Sequence, residues 1–278
     1  MNPRVSICIP AYNGELWIAD AIRSVLCQTI ADWELIISDD ASTDGTRNAV
    51  LAFVESDSRI KYQQQEVRLG AGSNWNSVLS LASSNFVKLM GQDDVLYPNC
   101  LELSLPVIEK DSKIDLVVGR RDIINGMGNV ILRGRGLNGL NGTELGQHAF
   151  RQTILKGSNI LGEPSFSIFR RSKLLEVGGF DVRWNYLIDI ATYASAVGEG
   201  YLYCVDASMG AFRVSPGSWS SALAKVQAKE FRAFTQYLFE KKQYKISRMD
   251  ILRSMFTISI KTWLRRLVML YINRNKKA

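Results

Sequence analysis

Two pairs of adjacent aspartates, Asp39-Asp40 and Asp93-Asp94, each follow an apolar run and lead into a loop. The first closes Trp33-Glu34-Leu35-Ile36-Ile37-Ser38 and opens Ala41-Ser42-Thr43-Asp44-Gly45; the second ends Phe86-Val87-Lys88-Leu89-Met90-Gly91-Gln92. In an open α/β sheet, ligands bind in the crevice at the carboxyl ends of parallel strands. Carboxylates delivered to that edge suit a ligand with hydrogen-bond donors at one end and a metal-bound diphosphate at the other. A nucleotide-sugar has that form. Either pair alone also reads as turn or helix-cap chemistry, where Asp is common. Agreement with a third segment, Val5-Ser6-Ile7-Cys8-Ile9-Pro10-Ala11-Tyr12-Asn13, favours the ligand site.

The elements that must position these residues alternate. Residues 5–9 form a strand ending at Pro10, and Ile18, Ile22, Val25 and Leu26 then recur at helical spacing beside Trp17 and Ala21. Further strands are expected at 35–38, 60–62, 86–90 and 116–119. Helices carry Val50, Leu51, Phe53 and Val54, then Trp75, Val78, Leu79 and Ala82, then residues 100–109. Such alternation builds βαβ units in a parallel sheet. Glycine and asparagine are dense from Asn125 to Gly142, without the spacing of a phosphate-binding loop, and read as a hairpin and flexible loops. Strands follow at 165–169, 202–205 and 210–213, with a turn at Gly178-Gly179-Phe180-Asp181, a helix at 188–197 and a helical pattern from Ser221 onward.

A chain of 278 residues accommodates one large α/β domain and an appendage. We expect an α/β body at 1–220, with a nucleotide-binding half (1–119) and a second half (120–220), then a basic helical segment at 221–278. From Ala222 onward there are 14 Lys/Arg against 3 Asp/Glu, whereas the body before it is slightly acidic. The body therefore does not read as a nucleic-acid enzyme. Cys8, Cys27, Cys100 and Cys204 have unrelated spacings; Cys8 and Cys27 lie in apolar runs and are expected as buried free thiols. A single histidine, His148, leaves no multi-histidine zinc site and no serine–histidine triad, and is expected at the surface. No run reaches the roughly 18 to 20 apolar residues of a membrane span, and Met1-Asn2-Pro3-Arg4 has no signal-peptide layout, so a cytoplasmic location is expected.

Residues 5–14 (V-S-I-C-I-P-A-Y-N-G), 38–46 (S-D-D-A-S-T-D-G-T), Gly91-Gln92-Asp93-Asp94 and Gly178-Gly179-Phe180-Asp181 with Asp189 resemble family 2 of the inverting glycosyltransferases. Leu69-Gly70, Asn74-Trp75-Asn76 and Glu163-Pro164-Ser165 are similar to a branch that builds bacterial surface polysaccharides such as O-antigen, capsule or exopolysaccharide. The resemblance covers roughly residues 4–215. It implies a mostly parallel α/β sheet with helices on both faces, the Rossmann-like nucleotide-diphospho-sugar transferase fold, plus a C-terminal helical tail. It also implies roles. Asp40 would accept a ring N–H of a uracil, thymine or guanine base. Pro10, Ala11 and Tyr12 would line the base pocket, with Arg68 at its base or phosphate end. Asp94, with Asp93 near the ribose, would hold a divalent cation (Mn²⁺ or Mg²⁺) bridging the diphosphate of a UDP-, dTDP- or GDP-sugar. Asp189 would be the general base for a glycan or lipid-linked acceptor. For Tyr12 a core aromatic, for Arg68 a solvated loop residue and for Asp189 a helix-start carboxylate are the alternatives.

Two positions depart from the family pattern. An acid often found before the last aspartate is replaced by Gly91 and Gln92, and an expected Arg-x-His reads Arg213-Val214-Ser215. Arg213 could still reach the diphosphate, or serve a structural ion pair. Competing classes fare worse. Pro10-Ala11-Tyr12-Asn13-Gly14 lacks the G-x-G-x-x-G turn of a dinucleotide enzyme. A nucleotidyltransferase would want a Gly-rich triphosphate loop, and a processive synthase membrane spans and Q-x-x-R-W. A degenerate nucleotide-sugar-binding or scaffold protein is the remaining alternative. In the tail, Phe256, Ile260, Trp263, Leu264, Leu267, Leu270 and Tyr271 share a helix face, Lys261, Arg265 and Arg266 lie off it, and Lys276-Lys277 follow. Ile258, Met269 and Ile272 blur the polar side. Such a basic amphipathic helix suits an anionic membrane surface, peripheral on the inner face, or packing on the body or on another subunit.

Overall fold

The computed structural model describes residues 3–214 and 226–275, with side chains of the last helix as far as Lys261 and that of Trp263. Strand β1 (Val5–Ala11) sends Val5, Ile7, Ile9 and Ala11 into one apolar core and Cys8 into a second. β2 (Trp33–Asp39) divides likewise, with Leu35 and Ile37 on one side and Ile36 on the other. That period of two marks strands covered on both faces. With β3 (Ile60–Gln64) and β4 (Phe86–Leu89) they form a parallel unit in the order β3-β2-β1-β4. Strand order reverses at β1, which places a crevice between the carboxyl ends of β1 and β4.

Helix α1 (Ile18–Leu26) buries Ile18, Ala21, Ile22 and Val25, the i, i+3, i+4, i+7 stripe expected of it. It lies on one face of the sheet with α2 (Thr46–Ser56) and α4 (Cys100–Lys110), which add Val50 and Leu105 to the same core. The other face is covered by α3 (Ala71–Ser80), α5 (Gly146–Lys156), α6 (Arg171–Glu176), α7 (Ile188–Val197) and α8 (Gln227–Glu240), through Val78, Phe150, Leu174, Ile190 and Phe234.

Beyond β4 the sheet is mixed. β5 (Val95–Leu96), β6 (Ile114–Ile124), β7 (Val130–Arg135), β8 (Gly142–Leu145), β9 (Ser167–Arg170) and β10 (Tyr201–Arg213) complete ten strands among the described residues. β9 runs antiparallel between β4 and β6, while β10 is parallel to β6. A four-residue strand such as β9 carries no local signal of its direction, so this insertion is invisible to periodicity. The two strands expected at 202–205 and 210–213 are one, because register shifts near Ser208 absorb the intervening residues as bulges. Cys8 is buried but Cys27 is exposed, since it stands one residue past the last turn of α1 and off the buried stripe. His148 lies at the surface against Glu144, 2.8 Å away.

The last helix, α9 (Arg248–Asn275), opens with a reciprocal cap: the Asp250 amide donates to Ser247 Oγ, and the Ser247 amide to Asp250 Oδ2. Asp250, 1% exposed, also receives Arg151 of α5 through two bonds of 2.8 and 2.9 Å. Bonding to Arg151 and Ser247 outweighs burial and holds its carboxyl down to about 2. Its contribution to stability is therefore complete above the unfolded value near pH 4 and fades as pH falls through about 2. Asp250→Ala should lower stability by about 1–3 kcal/mol at neutral pH, with the deficit shrinking below about pH 4. Urea unfolding of both proteins across that range measures it; equal stability at neutral pH would show that the cap does not anchor α9.

Candidate active site

The carboxyl ends of β1, β2 and β4 are tied together by side-chain amides. Asn74, 2% exposed, donates to Ser38 O and accepts from Ser38 Oγ, at 2.9 and 2.7 Å. Gln92 makes a reciprocal pair with the main chain of Tyr12, both bonds 2.9 Å. Where relatives place an acid, this chain thus uses an uncharged clasp between the β1 loop and the second aspartate turn. Gly91 has its own reason: a Cβ there would lie 2.8 Å from Asp94 Oδ2.

Of the first pair, Asp39 shapes the turn, accepting from the Tyr62 hydroxyl at 2.6 Å and the Ser42 amide at 2.8 Å. Asp40 is 1% exposed and takes the amides of Leu69 and Gly70, at 2.5 and 2.9 Å. Gly70 sits at φ +87°, a conformation that glycine permits and that directs both amides at one carboxylate. A carboxylate offers about four lone-pair sites, so a base N–H remains admissible as a third donor. The Arg68 guanidinium lies over the Tyr12 ring, 3.9 Å from its centroid, so these two expected pocket residues are in contact. Ala11 is buried and its carbonyl receives the Asp40 amide at 2.8 Å, while Pro10 is partly exposed at the strand end.

Asp94 is 3% exposed, bonded by the Arg213 amide at 3.1 Å and by the Ser165 hydroxyl. Burial first, then the charge of Asp93, pushes its carboxyl well above the ordinary range against those two bonds. Asp93 is also raised by burial, partly offset by Arg213. Beneath them Lys88, fully buried, donates to the carbonyls of Ser165 and Ser167 at 2.6 and 3.0 Å. Among the described residues no group of three or more His, Cys, Asp or Glu could hold a metal. Two adjacent carboxylates driven toward neutrality fit a hard cation that takes its remaining ligands from phosphate and water.

The Arg213 side chain, 3% exposed, is engaged by the carbonyls of Asp93, Asn125 and Gly126 at 2.8, 3.4 and 3.1 Å. Through Nε and Nη1 it braces the second aspartate turn against the β6–β7 hairpin, while Nη2 lies 3.7 Å from Asp20 Oδ2. Ser215 lies outside the described residues.

Asp189 stands in the first turn of α7, partly exposed, with Oδ1 on the Ile190 amide and Oδ2 on the Asn159 carboxamide, both 2.7 Å. Burial, reinforced by the charge of Glu163, pushes its carboxyl up to about 7 against those bonds. The Gly178-Gly179-Phe180-Asp181 turn is fixed to α3 by Asn76, which donates to Phe180 O and accepts from its amide at 2.9 and 2.7 Å. Sequence reasoning found the carboxylates but assigned nothing to Asn74, Asn76, Gln92, Lys88, Asn159 or Ser165. Their partners are remote in sequence, and an isolated amide or hydroxyl carries no local signal.

An open α/β sheet with carboxylates gathered at its switch point is the layout of a nucleotide-binding α/β protein. The chain belongs to glycosyl transferase family 2, whose model matches residues 6–178, so the resemblance read from the β1 and β2 segments holds. Over 121 residues it is 43% identical to the Escherichia coli UDP-Glc:alpha-D-GlcNAc-diphosphoundecaprenol beta-1,3-glucosyltransferase WfgD, covering 44% of this chain and 47% of that protein. The chain spans less than two thirds of the length of the curated relatives it matches. S. aureus TarS 1–349 in complex with UDP-GlcNAc superposes with a TM-score of 0.68 at 18% identity, over 91% of this chain and 70% of that one. The mannosyltransferase PcManGT of Pyrobaculum calidifontis, in complex with GDP-Man and Mn²⁺, gives 0.65 at 16% identity, over 92% and 70%. At these identities the likeness establishes the fold.

Gln92 is the cheapest part of this frame to test. Gln92→Ala removes both bonds to Tyr12 and should cost about 1–3 kcal/mol, read as a lower urea midpoint. Gln92→Glu keeps the acceptor for the Tyr12 amide but sets a carboxylate against the Tyr12 carbonyl, and should fall between. A parental midpoint for Gln92→Ala would mean the clasp is dispensable.

Proposed function

We propose that this protein is an inverting glycosyltransferase, moving one sugar from a nucleoside-diphosphate sugar of UDP, dTDP or GDP type to an acceptor hydroxyl in bacterial surface-polysaccharide synthesis. The observation that carries the reading is the segment 159–165. Its Asn159 is bonded to Asp189 and its Ser165 to Asp94, so the base and the leaving-group site are held by one short stretch of chain. Residues 1–119 would bind the nucleotide and 120–220 the acceptor.

In this reading the base ring donates its N–H to Asp40 and packs beside Tyr12, with Arg68 moving on the ring face as the donor enters. Asp94 and Asp93 would hold a divalent cation, Mn²⁺ or Mg²⁺, which when bound neutralises charge on the departing diphosphate. PcManGT is in complex with GDP-Man and Mn²⁺, which supports that reading. Asp189 takes the acceptor proton on the side opposite the leaving group, and a carboxyl near 7 is poised for that exchange. Because Asp189 acts ionised, turnover should fall as pH drops below about 7.

A thermal-shift screen of nucleoside-diphosphate sugars with Mn²⁺ tests the site, since a ligand of the native state raises apparent stability. Asp94→Ala should lose both the donor shift and transfer. Asp189→Asn should keep the shift and lose transfer by about 10²–10⁴-fold. Full activity of Asp94→Ala, or full activity in excess EDTA, would overturn the cation's role, and donor binding without transfer would favour the degenerate binding protein.

The relative WfgD is named for a diphosphoundecaprenol acceptor, and α9 supports a membrane-facing reading for this chain. Among the described residues no helix is long and apolar enough to cross a membrane. While Ser254 and Ile258 of α9 are buried, Met249, Leu252, Phe256, Ile260 and Trp263 are exposed, at intervals of three and four. Side chains of the tail residues from 264 onward lie outside the described set. We place the protein in the cytoplasm, peripheral on the inner face of the membrane, with this stripe among anionic headgroups. Flotation with anionic liposomes should recover the parent but lose Leu252→Ser/Phe256→Ser/Trp263→Ser. Equal recovery of the two proteins would assign the stripe elsewhere.

A further inference from the structure

Asn159 is the most constrained amide in the site. Its Oδ1 accepts the amides of Leu161 and Gly162 at 3.0 and 3.1 Å. Two N–H donors on one atom identify it as the oxygen and fix the orientation of the carboxamide. The nitrogen must then point the other way, and it divides its two protons between Gly162 O at 3.0 Å and Asp189 Oδ2 at 2.7 Å. Every hydrogen-bonding position of this amide is used, three by its own loop and one by Asp189. The loop is set by Gly162, at φ +94° and packed close to Arg121.

We propose that Asn159 is the positioning residue of Asp189: a carboxamide locked by its own loop fixes the direction of the base and favours its ionised form. The inference rests on Asp189 being the base. The charged and titratable groups around Asp189 divide by sign. Glu163 opposes its ionisation, whereas Arg121, ion-paired to Glu163 at 2.7 Å, supports it from β6; Tyr193, whose own ionisation burial and Asp189 suppress, stays neutral beside it. Burial and Glu163 prevail over Arg121, so the Asn159 N–H and the Ile190 amide carry the remaining stabilisation of the carboxylate. Of these two, only Asn159 comes from outside α7, so it alone ties the orientation of the carboxylate to a second segment of the chain.

The experiment is the pH dependence of kcat/KM for the full chain with its donor and acceptor. Parent enzyme should show an acid limb near 7. In Asn159→Ala the limb should move upward by about one pH unit, the size of one hydrogen bond to a charged group. Activity should fall about fivefold at pH 7, approach a tenfold loss below it and recover toward alkaline pH, with donor affinity by calorimetry unchanged. Asn159→Asp, close in size but with no proton to donate and a like charge beside the base, should move the limb further up. It also serves if Asn159→Ala does not fold. An unmoved limb in a folded variant, or a loss that is uniform across pH, overturns the proposal. Asp189→Asn separates the two levels: parental turnover there removes the base assignment itself, whereas an inactive Asp189→Asn with an unmoved Asn159→Ala limb removes only the role of Asn159.

Discussion

A carboxylate buried at the seam of the sheet governs the arrangement of everything around it. Removing Asp94 from water costs several kcal/mol unless its oxygens are matched by donors and nearby charge. The chain supplies those donors from two distant places, the Ser165 hydroxyl ahead of β9 and the Arg213 amide at the end of β10. Lys88 anchors the first from below by gripping the carbonyls of Ser165 and Ser167, and the Arg213 side chain anchors the second by gripping the turn that carries Asp93. The antiparallel insertion of β9 between β4 and β6 is therefore what brings Ser165 under the aspartate turn. Without it the parallel half would end at β4 with an unmatched acid.

The side proposed for the nucleotide is built differently. Here the carboxylate of Asp40 is spent on the amides of Leu69 and Gly70, and the loop before α3 is drawn over the end of β2. Gln92 and Asn74 bind main-chain groups of Tyr12 and Ser38, so the strand ends cannot drift apart. These bonds preorganise the strand ends, and the Arg68 side chain rests on Tyr12 beside them. Preorganisation of this kind lowers the ordering cost of binding a ligand.

The first half of the fold was legible because its strands and helices announce themselves by period, and two of the strands lead into paired aspartates. β1, β2 and the α1 stripe fall where alternation and helical spacing put them. Past residue 119 the signal fails for physical reasons. The direction of β9 is a tertiary choice, the bulged β10 breaks its own pattern, and α5 hides its apolar face, Ala149, Phe150 and Ile154, among polar residues. The carboxylates were legible as candidates because acids after apolar runs are conspicuous. Their supports were not, and Gln92 read as a missing acid when it is a clasp. From the sequence Arg213 reads as a diphosphate contact or a structural ion pair, and its bonds to the Asn125 and Gly126 carbonyls depend on a hairpin that no local pattern ties to it.

Asp94 and Asp189 are both pushed toward the neutral form, and by the same leading cause, burial. What relieves each is different. Asp94 has a second carboxylate as its neighbour, so its largest unmet need is positive charge, which a cation bound with the donor would bring. Asp189 has Glu163 nearby but Arg121 paired to that glutamate, and its carboxylate is met by neutral N–H donors. In the proposed reaction its ionisation would depend on the protein alone, and that of Asp94 on a cation bound with the donor. Environments that separate two acids in this way are how one site assigns different tasks to the same side chain. Segment 159–165 keeps the two environments adjacent without merging them, because its Asn159 faces one acid and its Ser165 the other.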